Sequence, residues 1–173
     1  MSQRFNSRFL RFGKYAVHAA SITVRFMCFA HMYNRHVAEI SLCMGPSMLP
    51  TFNMTGDIIL ADHISGYFSE PEIGDVVVCI SPHAPGRAVL KRVVGTPRDS
   101  VCFDVTEKER KYVNVPDGHL WLSGDNMSNS NDSRTYGPVP MGLLRGRVVA
   151  RLWPEFQILR NPLKQVSLTE YFK

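Results

Sequence analysis

The stretch Gly74-Asp75-Val76-Val77-Val78-Cys79-Ile80, the loop Pro82–Gly86 and the run Ala88-Val89-Leu90-Lys91-Arg92-Val93-Val94 together decide the fold class. Two short β-branched runs around a Pro/Gly loop are the pattern of a β-hairpin. The pattern recurs outward in both directions, at Asp57–Ala61, Ser100–Val105, Lys111–Val115, His119–Leu122 and Arg145–Leu152. Gly, Pro, Asp and Ser clusters separate these runs, and such spacing predicts an all-β domain over residues 39–153. A chain of 173 residues fits one such domain with appended segments. Residues 154–173 contain Pro154 and Pro162 and little periodicity, so they read as a C-terminal extension.

Residues 1–38 are of a different kind. They carry Arg4, Arg8, Arg11, Lys14, Arg25 and Arg35 and no acid, so they hold six positive charges of a net +5 and the rest of the chain is close to neutral. That distribution gives no support to nucleic-acid binding by the body of the protein. Residues 15–33 lack Pro, Gly and acid and have the length of a membrane span, about 20 residues. His18, Arg25 and His31 interrupt them, and an Arg at a span centre costs roughly 2.5–3.5 kcal/mol. Two readings meet here, a weak membrane anchor and an Arg-rich organellar targeting helix. The expectation is an N-terminal targeting and anchoring segment, residues 1–38.

The four cysteines, Cys28, Cys43, Cys79 and Cys102, form no CxxC pair and no Cys/His spacing, so neither a metal site, a cofactor nor a disulfide framework is implied. The histidines are dispersed, and no Gly-rich phosphate loop or Ser-x-x-Lys motif occurs. Asp57, Asp75 and Asp99 stand at strand starts, where turn chemistry accounts for them.

Three places remain that can carry chemistry. In a strand, Val89, Lys91 and Val93 share one face and Leu90, Arg92 and Val94 the other, so a cation is pressed against an apolar layer. Desolvation lowers the pKa of a buried lysine, and a neutral amine can act as a general base, which a guanidinium cannot. Ser47, in Gly45-Pro46-Ser47-Met48-Leu49-Pro50-Thr51, stands on a Pro-restricted turn that would project a nucleophile. The loop Gly124–Arg134 is dense in short polar side chains. It could supply a hydroxyl that orients the lysine and an Asp132/Arg134 pair that stiffens the loop.

Taken in order, Ser47–Thr51, Gly56-Asp57-Ile58-Ile59-Leu60, Gly74-Asp75-Val76-Val77-Val78, Lys91-Arg92-Val93-Val94-Gly95 and Gly124–Arg134 resemble the ordered boxes of type I signal peptidases. The resemblance covers roughly residues 43–153. Within the family, the mitochondrial inner-membrane branch is the most similar. It is matched by Val115-Pro116, Gly118–Leu122, Tyr136-Gly137-Pro138-Val139-Pro140 and Gly142–Arg147.

The resemblance implies that Ser47 is the nucleophile and Lys91 the general base, at hydrogen-bond reach of about 2.6–3.2 Å or looser without substrate. Ser130 would orient the amine, Asp132 and Arg134 would hold the loop, and Met48 would line the floor beneath the dyad. Gly45 occupies the position where several relatives carry an oxyanion-binding Ser, leaving backbone donors. Arg98-Asp99 replaces the family's Gly-Asp, which leaves the geometry of that turn open.

The implied fold is a signal-peptidase-like antiparallel β-barrel or groove domain with an N-terminal helical membrane anchor. The implied substrates are precursor proteins with cleavable sorting signals, bound as an added strand with small residues at −1 and −3. The implied setting is the mitochondrial inner membrane facing the intermembrane space, in a hetero-oligomer with a second peptidase subunit. A repressor-type Ser-Lys peptidase would need a DNA-binding module that residues 1–42 are too short and apolar to form. A non-catalytic partner subunit is the other alternative, and the presence of both Ser47 and Lys91 weighs against it.

Overall fold

In the computed structural model, residues 2–65, 69–84, 86–104, 111–159 and 161 are described. Pro85, Val105 and most of residues 154–173, which fall within the loop, strand and extension expected above, lie outside them. The chain forms two compact units, Met1–Val37 and Ala38–Lys173. The first is a single helix, α1 (Ser2–His36), about 50 Å long at the usual rise per residue. By hydropathy, no helix among the described residues is long and apolar enough to cross a membrane. His18, Arg25 and His31 break the apolar run of residues 15–33.

The second unit is β-rich. Its strands are β1 (Ala38–Met44), β2 (Thr55–Asp62), β3 (Val76–Ile80), β4 (Ala88–Gly95), β5 (Ser100–Asp104), β6 (Lys111–Asn114) and β7 (His119–Ser123). A one-turn helix α2 (Ser133–Tyr136), then β8 (Val139–Pro140), β9 (Leu144–Trp153) and β10 (Gln157–Ile158) complete it. One antiparallel sheet runs in the order β1-β2-β9-β3-β4-β7-β8 with β10 added beside β9, while β5 and β6 form a separate hairpin. The predicted hairpin of β3 and β4 pairs Val77 with Lys91 and Cys79 with Val89. Register shifts at Cys43/Met44, Ile58/Ile59, Leu60/Ala61, Val78/Cys79 and Val93/Gly95 introduce the bulges that raise local twist, so the sheet curls.

Curling places two apolar layers on the two faces of β3. Val76 and Val78 join Met48, Phe52, Ile59, Ala61 and Val148 in one cluster. Val77 and Cys79 join Val93, Leu120, Leu122 and Val139 in the other. This is why Asp75–Ile80 reads as an unbroken apolar run rather than an alternating one. A third cluster of Val101, Val115 and Trp121 seats the β5–β6 hairpin.

The Arg98-Asp99 turn keeps the geometry that glycine would give it. Arg98 takes φ 73°, in the left-handed region, and its N–H donates to Val115 O at 2.9 Å. Its Nε donates to Asp117 Oδ1 at 3.0 Å, and Asp99 Oδ2 accepts from the Thr96 N–H and hydroxyl at 2.8 and 2.7 Å.

Candidate active site

Four elements converge on the site: the turn after β1, strand β4, the loop after β7 and helix α2. Gly45 opens the turn with φ 123° and ψ 156°, a conformation that L residues rarely adopt, and its N–H donates to Met54 O at 2.8 Å. A short 3₁₀ turn, Pro46–Met48, follows and lies against β4. Met48 is buried in the cluster with Phe52, so the turn is rooted in the core while Ser47 remains partly accessible. A Cβ on Gly45 would meet open space. A serine there is therefore opposed by the backbone angle and not by crowding.

Lys91 leaves β4 on the face shared with Val77 and Cys79, as strand alternation predicts, and is only 3% exposed. Its Nζ donates to Ser130 Oγ at 2.9 Å. Among the described residues no hydrogen bond joins this amine to Ser47 Oγ, so the resting contact is with Ser130. Burial pulls the Lys91 pKa below its ordinary value. The carboxylate of Asp132, the Cys79 thiol and the Asp125 carboxylate act against this, while Arg134 acts with it. Cys79 itself is pushed up to about 11 by burial, with Lys91 opposing, so it stands beside the amine as a neutral thiol.

The loop after β7 is stitched by Asp132. Its carboxylate accepts from the Gly124 N–H at 2.9 Å and takes the Arg134 guanidinium as a fork, Nε to Oδ1 at 2.9 Å and Nη2 to Oδ2 at 2.8 Å. Arg134 also donates to Met127 O at 3.0 Å. Burial alone would raise the Asp132 carboxyl. The Arg134 side chain, the Gly124 N–H and the Ser130 hydroxyl outweigh it and bring the pKa down to about 2. Ser130 thus sits between the Lys91 amine and a firmly ionised carboxylate. Gly124 is the close-approach point, since a Cβ there would fall 2.2 Å from Ser130 Oγ and 2.5 Å from Ser47 O.

The structure adds four residues that sequence reading did not assign: Thr51, Arg92, Asp125 and Asn126. Arg92 leaves β4 on the opposite face from Lys91 and forks onto Asp125 at 2.8 and 2.7 Å. Asp125 also accepts from Thr51 Oγ1 at 2.5 Å. Asn126 closes the arrangement, with its N–H donating to Ser47 O at 3.0 Å and its Nδ2 to Pro46 O at 3.0 Å. The only sequence signal for this clamp was the adjacency of Lys91 and Arg92 on opposite faces of one strand. Among the described residues no group of side chains has the makings of a metal site.

The assembled geometry is a serine on a rooted turn, a desolvated lysine and a hydroxyl that holds the amine, locked together by two carboxylate–guanidinium forks. The sequence pattern of the family described as "Signal peptidase, peptidase S26" matches residues 16–114 and 103–153. The chain belongs to the S26 signal peptidase family and is a serine peptidase of the signal peptidase I type. Its relatives include "Mitochondrial inner membrane protease subunit 1" of Schizosaccharomyces pombe, 39% identical over 146 residues, covering 84% of this chain and 92% of that protein. The protein of the same name from Homo sapiens is 40% identical over 141 residues, covering 80% and 84%. "Mitochondrial inner membrane protease subunit 2" of Danio rerio is 36% identical over 122 residues, covering 68% and 66%.

Proposed function

We propose that the protein cleaves sorting peptides from precursor proteins through a Ser47–Lys91 dyad and an acyl-enzyme. The observation that carries this reading is the buried Lys91 amine, depressed in pKa and held at 2.9 Å by Ser130 on the loop that also grips the Ser47 backbone. A neutral Lys91 donates one N–H to Ser130 and keeps its lone pair for the Ser47 proton. Ser47 Oγ then attacks the scissile carbonyl, and the backbone N–H of Ser47 stabilises the oxyanion, since the Gly45 N–H is taken by Met54 O and Pro46 has none. The Lys91 ammonium protonates the leaving amine. Neutral again, it takes a proton from the water that hydrolyses the ester. Asp132, Arg134 and Met48 hold the loop and floor, and no cofactor enters the cycle.

The names of the relatives support placement at the mitochondrial inner membrane and a second, related peptidase subunit as partner. The acid-free, Arg-bearing α1, within residues 1–38, serves as targeting segment and membrane attachment for a peptidase unit of residues 39–153 that faces the intermembrane space. Residues 154–173 extend that unit. The test is cleavage of purified mitochondrial precursors by wild type, Ser47→Ala and Lys91→Met. Both variants are expected to fold and to be inactive. Turnover retained by either would refute the dyad.

A further inference from the structure

The loop that carries Ser47 is held along its whole length, and one of its holders is fixed from beyond Pro154. Asn126 grips Pro46 and Ser47, and Asp125 takes the Thr51 hydroxyl. The Thr51 carbonyl is taken by Arg151 of β9, whose Nη1 donates to it at 3.3 Å. The same Nη1 lies 3.8 Å from Oδ2 of the fully buried Asp57. Asp57 in turn accepts from the Asn53 N–H at 2.7 Å and from Asn53 Nδ2 at 2.8 Å. Arg151 therefore touches the outgoing arm of the loop directly at Thr51 and, through Asp57, at Asn53.

The other prong of the guanidinium points the opposite way. Arg151 Nη2 donates to Gln157 Oε1 at 2.8 Å, and Gln157 pairs with Arg151 in the β10–β9 ladder. Two residues on, Leu159 donates its N–H to Val149 O at 3.0 Å and packs on the cluster that contains Met48 and Phe52. A segment with no periodicity of its own thus contributes both a hydrogen bond to Arg151 and an apolar side chain to the cluster in which the nucleophile turn is rooted.

We propose that Arg151 is a positioning residue for the nucleophile loop and that Gln157 sets its orientation. Catalytic alignment of Ser47 then depends on the chain beyond Pro154. The proposal rests on the reading of Ser47 as nucleophile. Its physical basis is the fork: a planar guanidinium bonded at Gln157 has one direction left for Thr51 O and Asp57, whereas a lysine ammonium in its place would satisfy Asp57 without fixing the carbonyl.

The experiment compares precursor cleavage and thermal unfolding for wild type, Arg151→Lys, Arg151→Met and Gln157→Ala, with Ser47→Ala alongside. For Arg151→Lys the expected result is an unchanged Tm and KM with kcat lowered roughly tenfold, less than the hundredfold that a 1 Å misplacement can cost. Gln157→Ala should lower kcat in the same direction by a smaller factor. Arg151→Met should lose both kcat and Tm, because Asp57 is left without its cation. Wild-type kcat in Arg151→Lys and Gln157→Ala, or kcat losses that track Tm across the series, would overturn the positioning role and leave Arg151 as a counter-charge for Asp57. Activity in Ser47→Ala would remove the premise itself, an outcome that the other variants cannot produce.

Discussion

Lys91 Nζ and Ser130 Oγ lie 2.9 Å apart although 39 residues separate them in the chain. The amine is buried, so in the absence of substrate this hydroxyl is the side chain that sets its direction. Removing it should cost alignment and not charge. Ser130→Ala is expected to fold normally and to lose roughly one to two orders of magnitude in kcat with little change in KM, as measured by steady-state precursor cleavage.

The depressed pKa of Lys91 makes a signed prediction about pH. As the proposed general base, Lys91 must be deprotonated, so kcat/KM should rise with pH along a limb that titrates below the ordinary lysine value of 10.5. The same shift bears on stability. A folded-state pKa below the unfolded one means that the unfolded chain binds more protons in the window between them, so stability rises with pH there. Lys91→Met should abolish the activity limb and flatten that part of the stability profile, as read from pH-dependent urea unfolding.

Asp132 acts in the opposite pH range. With a folded pKa of about 2 against an ordinary 3.8, it contributes stability that is complete above 3.8 and lost as the pH falls towards 2. That shift corresponds to something of order 2 kcal/mol. Asp132→Asn should lower stability by about that much at neutral pH and remove that part of the acid-induced loss. It should also lower kcat, because the Gly124–Arg134 loop loses its central acceptor.

Gly124 is constrained by space rather than by backbone angle. A Cβ at Gly124 would press on Ser130 Oγ and on the Ser47 carbonyl at once. Gly124→Ala is therefore expected to push apart the two halves of the site and cut kcat at least tenfold, with Tm only modestly lowered. A crystal structure of the variant should show Ser130 displaced from Lys91.

Arg98 offers a contrasting case in the turn between β4 and β5. Its left-handed backbone costs roughly 1–2 kcal/mol in a residue with a Cβ, and its exposed pair with Asp117 returns little. Arg98→Gly should raise stability by up to about 1 kcal/mol in chemical denaturation and leave cleavage unchanged.

Much of the β-domain was legible because local chemistry announces it. The β-branched runs became β2, β3, β4, β5, β6, β7 and β9, and Gly56 and Gly74 open their strands with positive φ. The edge strand β1 was missed, although Glu39, Ser41 and Cys43 alternate with the exposed Ile40, Leu42 and Met44. Its alternation is the reverse of the usual one, with large apolar side chains facing outward, so it does not read as a strand resting on a core. The short β8 and β10 were missed because two-residue pairings carry no periodic signal.

By itself the sequence determined which side chains could do chemistry. A lysine in an apolar strand can become a neutral base, and a serine on a restrained turn is suited to meet it. Strand alternation already put Lys91 on the face away from Arg92. Which hydroxyl meets the amine, which carboxylate receives Arg92 and what grips the Ser47 turn were decided by tertiary structure alone. The curl of the sheet brings residues 45–54, 91–92, 124–134 and 151–157 to one place. The pairings Lys91–Ser130, Arg92–Asp125 and Arg151–Thr51 then follow from distance and desolvation, which have no counterpart in linear spacing.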